Sequence, residues 1–185
     1  MIYFVTSNRG KMEEARAMLG MELSQMDIGY PEIQADTLEE VVIFGMKDLA
    51  GRLDGPVMIE DAGLFVDALN GFPGVFSAYA QKTIGNAGIL RLMEGAKDRG
   101  ASFRSVVGYA EPGEEVRLFR GELRGKIAFA PRGEGGFGYD PIFEVGGITV
   151  AEMGLQDKNR ISHRGQSIGA MREHLSGRTW GIPHH

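Results

Sequence analysis

The hydrophobic period changes once along this chain, and that change restricts what it can fold into. Ahead of Glu60, short apolar runs alternate with stretches of helical spacing. Ile2 to Val5 reads as a buried strand, Lys11 to Leu19 as a helix with Met12, Ala15, Met18 and Leu19 on one face, and Val57 to Ile59 as a later strand. Asp36 followed by Glu39 resembles a capping arrangement that opens a helix to about Arg52, with Leu38, Val41, Val42, Gly45 and Leu49 inward. Beyond Gly100 the period drops to two. Phe103, Ser105, Val107 and Tyr109 alternate with Arg104, Val106, Gly108 and Ala110, Pro112-Gly113 makes a turn, and Val116 to Phe129 resumes as a long strand.

Strand, helix, strand, helix, strand is the opening of an α/β fold with partly parallel pairing, and the later alternation adds an antiparallel hairpin. A helix from about Thr83 to Glu94 joins the halves and stops at Gly95, and a last helix runs from about Gly165 to Leu175. No repeat or linker divides the chain. The expectation is one α/β domain over residues 1–185, built on a mixed central sheet with flanking helices.

Composition narrows the function classes. A net charge of −5 argues against a broad nucleic-acid or anionic-membrane surface. The absence of cysteine excludes disulfides, thiolate metal sites and a thiol nucleophile, and fits a reducing compartment, so cytoplasm is expected. The start, MIYFVTSNRGK, lacks the basic opening and longer apolar run of a signal peptide, and nothing approaches the ~20 apolar residues of a membrane span.

Four stretches carry candidate chemistry. Thr6-Ser7-Asn8-Arg9-Gly10-Lys11 runs from a strand into a helix, where backbone N–H groups and the Lys11 ammonium suit an anion. It reads equally as a helix start capped by Asn8 or Ser7. Gly133 to Gly138 matches G-x-G-x-x-G, but Tyr139-Asp140-Pro141 follows where a dinucleotide site needs a helix, so that fold is excluded. A glycine loop presenting Phe137, Tyr139 and Asp140 suits a flat ring, and the competing reading places Phe137 in the core.

Lys158 to Gly165 gathers Lys158, Arg160, His163 and Arg164, which can grip phosphate and hydrogen-bond a heterocycle. Placed at the start of the last helix, that charge opposes the helix dipole. Finally, Glu60-Asp61-Ala62-Gly63-Leu64 follows the Val57–Ile59 run as a carboxylate pair and a glycine turn, with Glu32 a distant partner. Carboxylates without a His or Cys cluster suit a hard ion such as Mg²⁺, and an Mg²⁺-nucleotide reconciles an acidic pair with a phosphate cradle. His184 and His185 sit at the chain end and read as frayed.

In this order the four stretches resemble the inosine triphosphate pyrophosphatase family. The matching segments are TSNRGK, EDAGL with LNGFPGVFSAY, FGYDPIF and KNRISHRG, and they span residues 6–165. The resemblance implies an elongated, two-lobed α/β structure with the site in the cleft, usually as a homodimer. It further implies Mg²⁺-dependent hydrolysis of inosine, deoxyinosine and xanthosine triphosphates between the α and β phosphates.

By the same resemblance, Thr6, Ser7, Asn8, Lys11 and Lys158 hold phosphate, Glu32 and Asp61 handle the metal, and Asp61 accepts the proton. Phe137, Gly138, Tyr139 and Asp140 border the base, and His163 and Arg164 read it. Glu60 and Ala62 flank the metal-handling Asp61. Two departures stand out: Ala62 replaces the Ser or Thr of many relatives, and Lys47 does not align with the lysine other members place on that helix. A pyrophosphatase of different base preference and a nucleotide sensor remain the competing functions. Trp180 is expected to pack at a subunit interface or over the adjacent surface.

Overall fold

A computed structural model describes residues 1–177, so Trp180, His184 and His185 lie outside the described residues. β1 (Ile2–Val5) pairs in parallel on both sides, with β2 (Leu23–Met26) and with β3 (Val57–Val66). α1 (Arg9–Leu19) links β1 to β2, and α2 (Leu38–Ala50) stands between β2 and β3. β4 (Gly100–Ala110) and β5 (Arg117–Ile127) form the expected antiparallel hairpin, and the short β6 (Phe143–Val145) and β7 (Ile148–Thr149) follow. The open seven-stranded sheet has the order β2-β1-β3-β4-β5-β6-β7, parallel at one end and antiparallel at the other. That is the mixed α/β class the sequence implies.

Strand alternation sorts the core. Met58, Val107 and Tyr109 meet Met12 and Leu19 of α1 and Ile168 and Met171 of the last helix on one face. Ile59 and Val106 meet Val42, Met46 and Leu49 of α2 on the other. A third cluster, with Leu64, Phe103, Ile89 and Phe143, fills the far end.

Several boundaries differ from the sequence expectation for physical reasons. β3 does not stop at Ile59: it continues through Glu60, Asp61 and Gly63, because β4 pairs with all of its residues out to Val66. Gly63 is therefore a strand residue and not a turn; a Cβ there would lie 2.3 Å from the Gly74 carbonyl oxygen. The α2 cap sits one residue later than Asp36. Thr37 Oγ1 accepts from the Glu40 amide at 3.2 Å and donates to the Glu40 carboxylate at 2.8 Å, which an aspartate side chain could not do.

The helix expected from about Thr83 to Glu94 is α4 (Gly85–Leu92), and an unexpected helix, α3 (Ser77–Thr83), precedes it, the two broken where Gly85 takes a φ of +62°. The expected last helix is α6 (His163–Ser176), and a further short helix, α5 (Leu155–Ile161), stands before it, separated by an extended Ser162 whose hydroxyl caps α6 through the Gly165 amide. Among the described residues no helix is long and apolar enough to cross a membrane.

Candidate active site

β1 is much shorter than β3. Of β3 it pairs only with Val57 and Met58, so from Ile59 until Phe65 meets Pro73 no strand lies along that edge, and side chains meet it instead, Lys11 Nζ at the Glu60 carbonyl and Ser77 Oγ at the Leu64 amide. A cleft of about 1070 Å³ opens along that edge, floored by Asp61 to Leu64. This is the crevice beyond the carboxyl end of a parallel strand, where α/β sheets place their sites.

Asn8 and Lys11 line one end of the cleft, and Thr6 and Ser7 precede them in the same loop, outside its lining. Asn8 is the α1 cap, its Oδ1 accepting from the Lys11 amide at 3.1 Å, and Thr6 Oγ1 accepts from the Asn8 amide at 3.1 Å. The capping reading of this loop is thus realised, and the capped helix end faces the cleft. Glu32, on the coil after β2, also lines the cleft and is exposed.

The opposite end is built by the glycine loop. Gly136 and Gly138 take positive φ, and a single 3₁₀ turn over Asp140–Ile142 follows before β6, so no dinucleotide-binding helix forms. Phe137 is half-buried, with Lys158 Nζ 4.6 Å and Arg164 Cζ 5.4 Å from its ring centre. The ring also lies on Gly10, where a Cβ would meet it at 2.7 Å. His163 stacks on Phe103 at 4.9 Å between centroids, and its Nδ1 is buried with no hydrogen-bond partner among the described residues. Burial, then the neighbouring Arg164 charge, holds this imidazole well below the usual histidine range, so it presents one donor and one acceptor.

Beneath the cleft runs an alternating chain of buried charges that joins the two ends. Asp140 bonds Lys158 at 2.7 Å, Lys158 bonds Glu14 at 2.6 Å, and Glu14 bonds Arg164. Arg164 then bonds Glu60 at 3.2 Å, and Glu60 bonds Lys11 at 2.9 Å. Ser105 adds a 2.7 Å hydrogen bond to Glu60, and Ser105 in turn bonds Ser167. Each charge in the chain has an opposite neighbour, which is the condition for burying it.

Glu60 therefore sits under the site, while Asp61, the next residue along the strand, faces the cleft. Asp140 Oδ2 accepts from Lys158 Nζ and from the Phe137 amide, and so fixes the loop from below. The basic segment is divided between helices: Lys158 and Arg160 fall in the last turn of α5, where they complement the dipole, and only His163 and Arg164 begin α6. Lys47 lies outside the cleft, in a groove with Phe44 and Phe76.

Asp61 is a cleft carboxylate held above the usual aspartate range. Burial first, with the Glu60 and Glu32 charges adding to it and Lys11 opposing it, pushes its carboxyl up to about 6. Its one hydrogen bond among the described residues comes from the Ala62 amide. Among the described residues no three His, Cys, Asp or Glu side chains converge as a preformed metal cage. The residues present still fit a hard divalent ion: Asp61 and Glu32 offer carboxylate oxygens on the same cleft, and Mg²⁺ takes one or two carboxylates and completes its shell with water and substrate phosphate.

Glu14 escaped the sequence reading. Its signal was available, since it follows Lys11 by one helical turn on a face that otherwise turns apolar residues inward, and a charge there demands a buried partner.

Fold and cleft together define an open mixed-sheet α/β protein whose site lies where β1 and β3 part. The model of the Ham1 family matches residues 2–174, and the chain belongs to the Ham1 family. It is similar to the dITP/XTP pyrophosphatase of Thermococcus kodakarensis, 57% identical over 170 residues covering 89% of this chain and 91% of that protein. The dITP/XTP pyrophosphatase of Methanosarcina mazei is 48% identical, over 95% of this chain and 97% of its own. Among solved structures, the Staphylococcus aureus Ham1 protein superposes with a TM-score of 0.84 at 31% identity, over 97% of this chain and all of its own.

Proposed function

We propose that this protein hydrolyses noncanonical purine nucleoside triphosphates, dITP, ITP and XTP, to the nucleoside monophosphate and pyrophosphate, with Mg²⁺ as cofactor. The observation that carries the proposal is Asp61: a carboxylate pushed up to about 6, facing a cleft with a cationic helix start at one end and an aromatic, imidazole-bearing wall at the other. The relatives named as dITP/XTP pyrophosphatases support the choice of substrate.

Each residue then has a physical task. Thr6, Ser7, Asn8 and Lys11 present the α1 start to the triphosphate, and Phe137 and Tyr139 offer the base a flat wall. Arg164 and neutral His163 face the base edge. A 6-oxo group accepts from the guanidinium, whereas the 6-amino group of adenine would set a donor against a donor. Asp61, as the carboxylate, takes the proton of the attacking water as that water's oxygen bonds to the α phosphorus and pyrophosphate leaves. Glu32 and Asp61 would hold Mg²⁺, which supplies neutralisation of phosphate charge when bound. We read the chain as a single two-lobed unit that acts as a homodimer on the cytoplasmic nucleotide pool, keeping these nucleotides out of nucleic acid.

The test is product analysis with Mg²⁺ and inosine, xanthosine, guanosine and adenosine triphosphates in separate reactions. Monophosphate and pyrophosphate from the first two alone is the expected result. Diphosphate and phosphate would refute the bond assignment, and intact nucleotide throughout would refute the enzyme.

A further inference from the structure

Two side-chain amides converge on one main-chain oxygen at the aromatic end of the cleft. Gln81 Nε2, on α3, and Asn86 Nδ2, on α4, donate to the Gly138 carbonyl at 3.2 and 3.1 Å. Gly138 joins Phe137 to Tyr139 and takes a φ of +63°, so its carbonyl direction sets how both rings are presented. A carbonyl oxygen has two lone pairs, and here each has its own donor.

The broken helix makes this possible. On one continuous helix, residues 81 and 86 would point about 140° apart and could not reach a common atom. The left-handed Gly85 between them swings α4 round so that they do. A third bond joins the same elements, from Tyr139 Oη to the Ser77 carbonyl at 2.7 Å, and Ser77 Oγ accepts from the Leu64 amide of β3 at 2.8 Å. The aromatic wall is thereby tied to the strand that carries Asp61.

Both amides keep a costly remainder. Gln81 Oε1 and Asn86 Oδ1 are buried with no hydrogen-bond partner among the described residues. Leaving two acceptors unpaired is a poor way to hold a loop unless its position matters in itself.

We propose that Gln81 and Asn86 are positioning residues for base recognition: by saturating the Gly138 carbonyl they fix Phe137 and Tyr139 against the purine and leave the phosphate end untouched. The inference rests on the cleft being a nucleoside triphosphate site, as proposed above. Either amide alone keeps the carbonyl bonded, so the two act redundantly.

The test compares wild type with Gln81→Met, Asn86→Leu and the double variant, using kcat and KM for dITP and XTP and inhibition by inorganic pyrophosphate, which carries no base. The double variant is expected to raise KM about tenfold while kcat stays within about threefold, pyrophosphate inhibition is unchanged, and each single variant shows much less. An unchanged KM in the double variant overturns the proposal. So does a pyrophosphate inhibition constant that rises in step with KM. Should the double variant fail to fold, the isosteric pair Gln81→Glu with Asn86→Asp removes both donors without changing side-chain shape, and an unchanged KM there overturns the proposal equally. Wild type that turns over no nucleotide sinks the functional reading itself, a result distinct from active wild type with unaffected variants.

Discussion

Glu60 and Asp61 are adjacent on β3 and titrate in opposite directions. Burial works to raise Glu60, but the Arg164 and Lys11 charges overcome it and hold the carboxyl well below the usual range, while Asp61 is pushed up to about 6. One strand thus carries a permanent anion beneath the site and a proton acceptor within it. Replacing Glu60 with Gln leaves Arg164 and Lys11 short of a shared counter-charge, and a loss of about 3 kcal/mol is expected in urea unfolding at neutral pH. Because the folded-state value is depressed, this stabilisation is present above the unfolded carboxylate pKa and fades as pH falls below it, so wild type and variant should converge in acid.

Asp61→Asn is expected to lower pyrophosphate release about a thousandfold and leave nucleotide binding measurable by calorimetry. The same variant should melt higher than wild type at pH 8. The fold disfavours the charged Asp61 side chain, so the benefit of Asn exists above about 6 and disappears below the ordinary aspartate value of 3.8.

Activity should follow the same group. The base form of Asp61 in the free protein dominates only above about 6, so kcat/KM at low Mg²⁺ should fall on the acid side of that pH. Raising Mg²⁺ should move the limb to lower pH if the ion shares the carboxylate. A limb that ignores Mg²⁺ would separate Asp61 from the metal.

Glu14 neutralises Lys158 and Arg164 together. Glu14→Gln is expected to raise KM for dITP about tenfold, because both cations beneath the Phe137 ring lose their shared anchor. Steady-state kinetics on dITP checks this, and a change confined to melting temperature would reduce Glu14 to a structural role.

Gly63→Ala tests the floor of the cleft. The added methyl would stand 2.3 Å from the Gly74 carbonyl oxygen, and both partners are backbone. A loss of roughly 2 kcal/mol in thermal or urea unfolding is expected.

The sequence made the elements that follow a period legible: β1, α1, α2 and the β4–β5 hairpin all carry their pattern locally. What it hid depended on distant partners. Glu60 and Asp61 looked like a strand terminus because their neutralising groups lie on α1 and α6, far along the chain. The division of the basic segment into α5 and α6 turned on Ser162 serving as a cap, and the break at Gly85 turned on a glycine conformation that composition does not distinguish. The cleft residues clustered as motifs and so could be named, whereas Glu14 belonged to no motif, and only a buried charge on an apolar helix face betrayed it.

The two margins of the sheet are short strands, the four residues of β2 and the two of β7. Among the long strands, β5 meets β6 only at Lys126 and Ile127, so its outer edge from Arg117 to Gly125 has no partner strand, and that stretch carries Arg117, Arg120 and Arg124. Sheet-to-sheet propagation, the usual hazard of an open edge, meets short margins at β2 and β7 and arginine charges along β5.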